Sequence, residues 1–225
     1  PTQLQGTFQI LFLDFSRVGG LDRTLAENFD DYCCGGLDDF ASIYEPYYYP
    51  GFEEEMKAQY GTTNKLNFLD RKARNNGSKL YLIVDEYDNF TNVVLNEQGD
   101  KVYHALTHAS GFYREIFKKF KGMFERIFMT GVSPVTLDDL TSGFNIGWNI
   151  STDHQFNMML GFSETDVREM IQYYKDAGQL PGNTNIDAMI EEMRPWYDNY
   201  CFAEESLERD PKMFNCDMVF YYLRH

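Results

Sequence analysis

The sequence predicts an α/β fold: a parallel sheet flanked by helices, followed by a smaller helical domain. Two apolar runs, FQILFLDFS at 8–16 and LYLIVDEYD at 80–88, each run into acids. Runs of this kind read as strands buried on both faces, as in a parallel sheet lying under helices. Stretches of helical spacing separate these strands, and beyond residue 151 the helical period takes over. The chain is therefore divided into an α/β part, residues 1–151, and a helical part, residues 152–225.

In order along the chain, 8–16 is the first strand. Asp14 near its end either faces the same sheet edge as Asp85 or bonds loop amides. Residues 21–43 carry helical spacing at Leu21, Leu25 and Phe29, with a break expected at Gly35-Gly36. In YEPYYYPGF, 44–52, Pro46 and Pro50 forbid a regular helix. Its aromatic rings suit either stacking on a partner or packing this connection down onto the domain. Residues 53–76 read as one helix with Arg71, Lys72 and Arg74 near its end and Gly77 beyond, ordinary C-terminal features.

After the second strand come a Gly-Asp turn within 92–100 and a helix over 101–121. His104 and His108 stand four apart in that helix. With no HExxH pattern or nearby cysteine, they read as surface or packing residues. A third strand, 124–131, leads into Val132-Ser133-Pro134, and 144–151 is a short fourth. Thr130 and Ser133 flank Gly131 at a strand end, where hydroxyls can reach a phosphate or its attacking water, although a Ser-Pro turn alone also explains the pattern. Ser163-Glu164-Thr165-Asp166 has the form of an N-terminal cap, followed by an apolar stripe of Val167, Met170, Ile171 and Tyr174. Residues 185–196 and 212–223 give two further amphipathic stretches.

A hydrophobic content of 43% allows a proper core, and a net charge of -15 argues against a free-standing nucleic-acid binder, which carries a basic face. No apolar run approaches the roughly 20 residues that span a bilayer. Cys33, Cys34, Cys201 and Cys216 lack CxxC spacing, so a reduced, cytoplasmic protein is expected, a Cys201–Cys216 bridge being the alternative.

The chemistry concentrates at Asp85-Glu86. Ligands of open α/β sheets bind beyond the carboxyl ends of the strands. Two adjacent acids there suit a hydrolytic nucleotide site, one carboxylate holding Mg²⁺ and the next orienting or deprotonating a water. A strand that simply ends at a solvated turn explains the same residues. A metal-dependent hydrolase using Asp14, Asp85 and Asp88 without ATP is a further reading.

Taken together, ILFLDFS (10–16), LYLIVDEYD (80–88), FMTGVSPVTLDDLTSGFN (128–145), MLGFSETDVREMIQYY (159–174), WYDNY (196–200) and MFNCDMVFYYL (213–223) resemble the AAA-ATPase-like family of P-loop ATPases, within the AAA and signal-transduction ATPase group. The resemblance implies a P-loop NTPase-like sheet with a Walker B strand ending in Asp85, which binds Mg²⁺, and Glu86, which activates water. It puts Thr130 and Ser133 at the sensor 1 position, reading the γ-phosphate, and makes 152–225 the helical lid and the segment after it. Where the family usually carries Gly and Arg in the WYxxY region, Asn199 and Cys201 stand here. Arg114, Arg126 and Arg168 are all available as an arginine finger, and the sequence selects none of them.

No GxxxxGK[ST] occurs in the 225 residues, so the glycine-rich amides and lysine that cradle phosphates are missing from this sequence. The family's phosphate-loop strand precedes the one matched at 8–15 and lies in the sheet centre, between the third and fourth strands here. The expectation is therefore a fragment of a longer AAA-like ATPase that has lost its Walker A loop, inactive alone, with ATP and Mg²⁺ bound only by the intact protein. Family members are often fused to a restriction-nuclease-like domain. The alternative is a non-catalytic module that keeps the fold without nucleotide and binds a protein partner.

Overall fold

The structure, a computed structural model, describes residues 2–19, 24–89, 111–132, 148–209 and 212–225. The chain forms two compact units, Pro1–Ile146 and Gly147–His225.

The first unit is α/β. Strands β1 (Gln9–Asp14), β2 (Leu80–Asp85) and β3 (Arg126–Met129) form a parallel sheet in the order β1-β2-β3, with Asp14 in register beside Asp85. Helices α1 (Leu25–Tyr44), α2 (Phe52–Lys57) and α3 (Gly61–Asn76) lie between β1 and β2, and α4 (Phe112–Met123) precedes β3.

All of these helices serve one face of the sheet. Leu11, Leu13, Leu82 and Val84 join a single core with Phe29, Leu37 and Phe40 of α1, Leu66 and Leu69 of α3, and Phe117 and Phe120 of α4. Among the described residues the other face is only partly covered, which corrects the expectation of strands buried on both sides. Ile10 is 43% and Phe12 54% exposed, against 2% and 1% for Leu11 and Leu13. The cause is topological. Parallel connections are right-handed, and here each steps across the sheet in the same direction, so the described connecting helices fall on one side.

The two edges of the sheet also differ. On the outer edge of β1, the Ile10 amide donates to the Tyr44 hydroxyl at 2.9 Å and the Asp14 amide to the Tyr32 hydroxyl at 2.8 Å. Tyrosines of α1 thereby satisfy backbone donors that an exposed edge would offer to another chain. Among the described residues β3 is the opposite edge strand.

Three local readings are corrected. First, α1 runs through Gly35-Gly36. A Cβ at Gly36 would come within 2.7 Å of Leu13 Cδ2, so the missing side chain lets α1 lie close on β1. That packing outweighs a propensity cost of about 1 kcal/mol for a helical glycine. Second, the stretch 53–76 is two helices, split at 58–60. Gly61 has φ +75°, and the Thr62 amide donates to Asp30 Oδ1 at 2.9 Å, tying the start of α3 to α1. Third, the described part of the segment at 148–151 has no strand.

The aromatic stretch packs onto its own domain. The Tyr48 ring stacks on Phe52 with centroids 4.0 Å apart, and its hydroxyl donates to Gln9 Oε1 at 2.6 Å. Burial pushes the Tyr48 phenol up to about 12, so it stays a donor.

The second unit holds α5 (Glu164–Asp176), α6 (Ile186–Tyr197) and α7 (Cys216–Arg224), together with a small antiparallel pair, β4 (Asp198–Tyr200) and β5 (Met213–Phe214). Strands of three and two residues are too short to leave a period in the sequence, which is why this segment read as helical throughout. Ser163 and Asp166 form a complete capping box at α5. Val167, Ile171, Ile190, Met193, Phe214, Val219 and Leu223 make its core. Arg194 ties the unit together through Glu164 at 2.9 Å and Asp198 at 2.7 Å.

All four cysteines are free. Among the described residues no helix is long and apolar enough to cross a membrane.

Candidate functional site

The carboxyl ends of β2 and β3 meet in one place, and the sheet register brings them there. Val84 pairs with Met129, so the residues that follow each strand leave the sheet side by side. Two backbone hydrogen bonds extend the pairing: the Thr130 amide donates to the Val84 carbonyl at 2.9 Å, and the Tyr87 amide to the Thr130 carbonyl at 3.0 Å.

Asp85 and Thr130, which stand 45 residues apart in sequence, are in contact. Asp85 Oδ1 accepts from the Thr130 hydroxyl and, at 3.0 Å, from the amide of Glu86. The half-buried Asp85 carboxylate is thus oriented from two sides, one donor from each strand.

Glu86 projects into solvent from a left-handed backbone, φ +50°. Among the described residues it is the one non-glycine with positive φ. That conformation costs a non-glycine residue about 1–2 kcal/mol, and such strain collects at functional sites. Here it turns the chain sharply after Asp85, so that Tyr87 and Asp88 fold back inward and Glu86 stays out.

Asp88 is 1% exposed, and both its oxygens accept from the Val132 amide, at 3.1 and 3.2 Å. This clamp joins the loop after β2 to the loop after β3. Gly131 is required by the same arrangement, since a Cβ there would lie 2.5 Å from Asp88 Oδ1 and 2.5 Å from Tyr87 Cε1. The Tyr87 carbonyl accepts from the Tyr113 hydroxyl, which anchors the first turn of α4 at this sheet edge.

Asp14 takes the loop-bonding role. Its Oδ1 accepts from the Ser16 amide at 3.0 Å and hydroxyl at 2.6 Å, and its Oδ2 meets Arg17 at 3.0 Å. The Ser16 hydrogen bond and the Arg17 charge hold its carboxyl below the usual range against the opposing effect of burial. Asp14 is thus committed to its own loop, and Asp88 to the loop after β3. Among the described residues no cluster of three or more His, Cys, Asp or Glu could hold a metal ion alone.

Ser133, His104, His108 and the side chain of Asn199 lie outside the described residues. Sequence reasoning missed the Asp88 clamp and the left-handed Glu86. The glycine at 131 was the available signal for the first, and nothing in the sequence marks the second.

An uncharacterized protein from Azotobacter chroococcum mcd 1, located in the vnfD 5′ region, is similar over 133 residues at 27% identity. The match covers 58% of this chain and 23% of that protein, so it spans under a quarter of the relative's length. No solved structure matches the chain. The family described as predicted AAA-ATPase matches residues 1–141. The chain belongs to this AAA-ATPase-like family.

Proposed function

We propose that residues 1–225 are the Walker B and sensor 1 portion of a P-loop ATPase that binds and hydrolyses MgATP in the full-length protein. The observation that carries this is the incomplete sheet: among the described residues one face is only partly covered, with Ile10 43% and Phe12 54% exposed, and the β3 edge is open. A parallel sheet is ordinarily covered on both faces. A strand lying beside β3 and feeding β1 by a right-handed crossover steps across the sheet in the direction opposite to the other connections, so its helix falls on the partly covered face. The start of that helix then lies at the sheet edge that carries Asp85, Glu86 and Thr130. This is where a phosphate loop must sit to bring a nucleotide to those residues. The loop itself is absent from these 225 residues and must come from sequence outside them.

The residues at this edge fit a Mg²⁺–nucleotide pair. Asp85 offers an oriented, half-buried carboxylate, and Asp85 would hold the Mg²⁺, whose charge offsets that building up on the phosphates when bound. Glu86 stands next to it in solvent and is the group that accepts the proton of the attacking water. The Thr130 hydroxyl, held on Asp85, faces the same edge and reads the terminal phosphate, a role the family resemblance gives to Ser133 as well. The second unit serves as the lid.

The test is MgATP turnover by the full-length protein and its Glu86→Gln variant. Gln keeps the shape and loses the base, so turnover falls by on the order of 10² to 10⁴. Equal turnover in both proteins removes Glu86 from the chemistry. No turnover and no nucleotide binding in the wild type would leave a protein-interaction module with an ATPase-like sheet.

A further inference from the structure

We propose that the second unit carries a docking strip for a basic amphipathic helix of another protein, centred on Met158, Met159 and Leu160 and independent of the ATPase reading. These three residues follow one another in the chain and are 53%, 49% and 58% exposed. Apolar residues scattered singly over a surface are ordinary, whereas a contiguous group marks an interaction site.

The strip extends to both sides. Asn157 accepts through Oδ1 from the amides of Phe202 at 2.8 Å and Ala203 at 3.1 Å, which seats the 203–207 turn against this segment. That turn ends in Leu207, 56% exposed. On the other side, Phe162 pairs with Phe214 through backbone hydrogen bonds of 2.9 and 2.8 Å, and its ring meets Phe220 edge-on at 5.4 Å. The anchor itself is buried. Asn157 is 1% exposed, and its Nδ2 has no hydrogen-bond partner among the described residues. An unmet buried donor costs about 1–3 kcal/mol, so this anchor lowers stability while it keeps the apolar side chains outside. A surface fixed in advance loses little freedom on binding.

Charge selects the occupant. Glu204, Glu205 and Glu208 flank Leu207 and are exposed, and Glu205 and Asp153 both lie 3.6 Å from His154. Arg209 is the one Lys or Arg within 203–209. A second copy of the chain would bring the same acids and a net charge of -15 against them. An anionic membrane would be repelled in the same way. A helix with leucines on one face and Lys or Arg beside them meets both features, its apolar face on the strip and its cations on the carboxylates. The two methionines, unbranched and flexible, adapt to side chains of varied shape.

The experiment titrates a fluorescein-labelled helical peptide of leucine and lysine, and its leucine–glutamate counterpart, with the full-length protein and follows anisotropy. The lysine peptide should bind and the glutamate peptide should not. Met158→Ser with Leu160→Ser should weaken binding by about tenfold or more at an unchanged melting temperature, since both side chains are exposed. Glu204→Gln with Glu205→Gln and Glu208→Gln should weaken it several-fold at low salt and little at about 1 M, where screening acts within roughly 3 Å. Asp39→Asn with Glu54→Gln, exposed acids of the first unit, should leave binding unchanged. No binding of the lysine peptide overturns the proposal. So does equal loss in the two acid-removing variants, which reduces the effect to overall charge. A melting temperature several degrees lower in the serine variant, or its failure to fold, makes the turn a support of the fold and overturns it too. Dimerisation of the wild type, or binding to phosphatidylserine vesicles, that the serine variant abolishes gives the strip to a second copy or a membrane, and the proposal falls.

Discussion

Replacing Gly131 by alanine tests whether the ends of β2 and β3 are held as one rigid unit. The added methyl would lie 2.5 Å from Asp88 Oδ1 and from Tyr87 Cε1, and 2.8 Å from Tyr87 Cδ1. Neither neighbour can yield easily, as Tyr87 is 4% and Asp88 1% exposed. Overpacking of this kind costs about 1–3 kcal/mol. If Asp88 moves aside, its contact with the Val132 amide at 3.1 and 3.2 Å is lost, and hydrogen bonds to charged groups are worth about 1.5–3 kcal/mol. The expected loss with both effects is therefore about 2.5–6 kcal/mol. With a urea slope near 2 kcal/mol per M, the midpoint falls by roughly 1–3 M. Tryptophan fluorescence is the wrong probe, because Trp148 and Trp196 both belong to the second unit. Far-UV circular dichroism, with hydrogen exchange of the Thr130 amide, reads the correct region. A change in stability under about 0.5 kcal/mol would refute the clamp, since surface substitutions fall within that range.

Two other predictions concern the sheet face and the second unit. On residues 1–225 alone, Phe12→Ala should cost under about 1 kcal/mol, because the ring is 54% exposed. In the full-length protein it should cost about 3–5 kcal/mol, the value for a buried phenylalanine, and equal costs in the two proteins would argue against a covering helix. Ser163→Ala removes the α5 capping box and should cost about 0.5–2 kcal/mol, read by Trp196 fluorescence during urea unfolding. The Ser163 hydrogen bonds hold the Asp166 carboxyl below its ordinary 3.8, so their stabilisation is full above that pH and is lost as pH falls through the lower folded-state value. The difference between wild type and Ser163→Ala should therefore narrow below pH 3.8, and a constant difference at all pH values would exclude the carboxylate from the cap.

The sheet was legible because a buried strand must be apolar: 8–16 and 80–88 announce themselves, and the acids that end them mark the proposed functional edge. The expectation of burial on both faces came from Ile10, Phe12 and Ile83 standing among the core residues. Among the described residues that side is only partly covered, with Ile10 and Phe12 exposed and Ile83 half-buried, and on the proposed function these side chains are apolar because a helix from outside residues 1–225 lies on them. What the sequence does not carry is pairwise geometry. The contact of Thr130 with Asp85 follows from the strand register, and the outward turn of Glu86 follows from a φ of +50° that no side-chain preference favours. The glycines misled in both directions: Gly36 packs inside a helix against Leu13, and Gly131 marks a close approach as well as a turn.

The measurement closest to the central claim is equilibrium binding of MgATP to the full-length Glu86→Gln protein, with Asp85→Asn beside it. Glu86→Gln should bind MgATP and hold it without turnover. Asp85→Asn, lacking the carboxylate expected to bind Mg²⁺, should lose most of the magnesium dependence. Absence of MgATP binding in Glu86→Gln and in the wild type, or turnover by Glu86→Gln at the wild-type rate, would contradict the assignment of this sheet edge as an ATP-hydrolysing site.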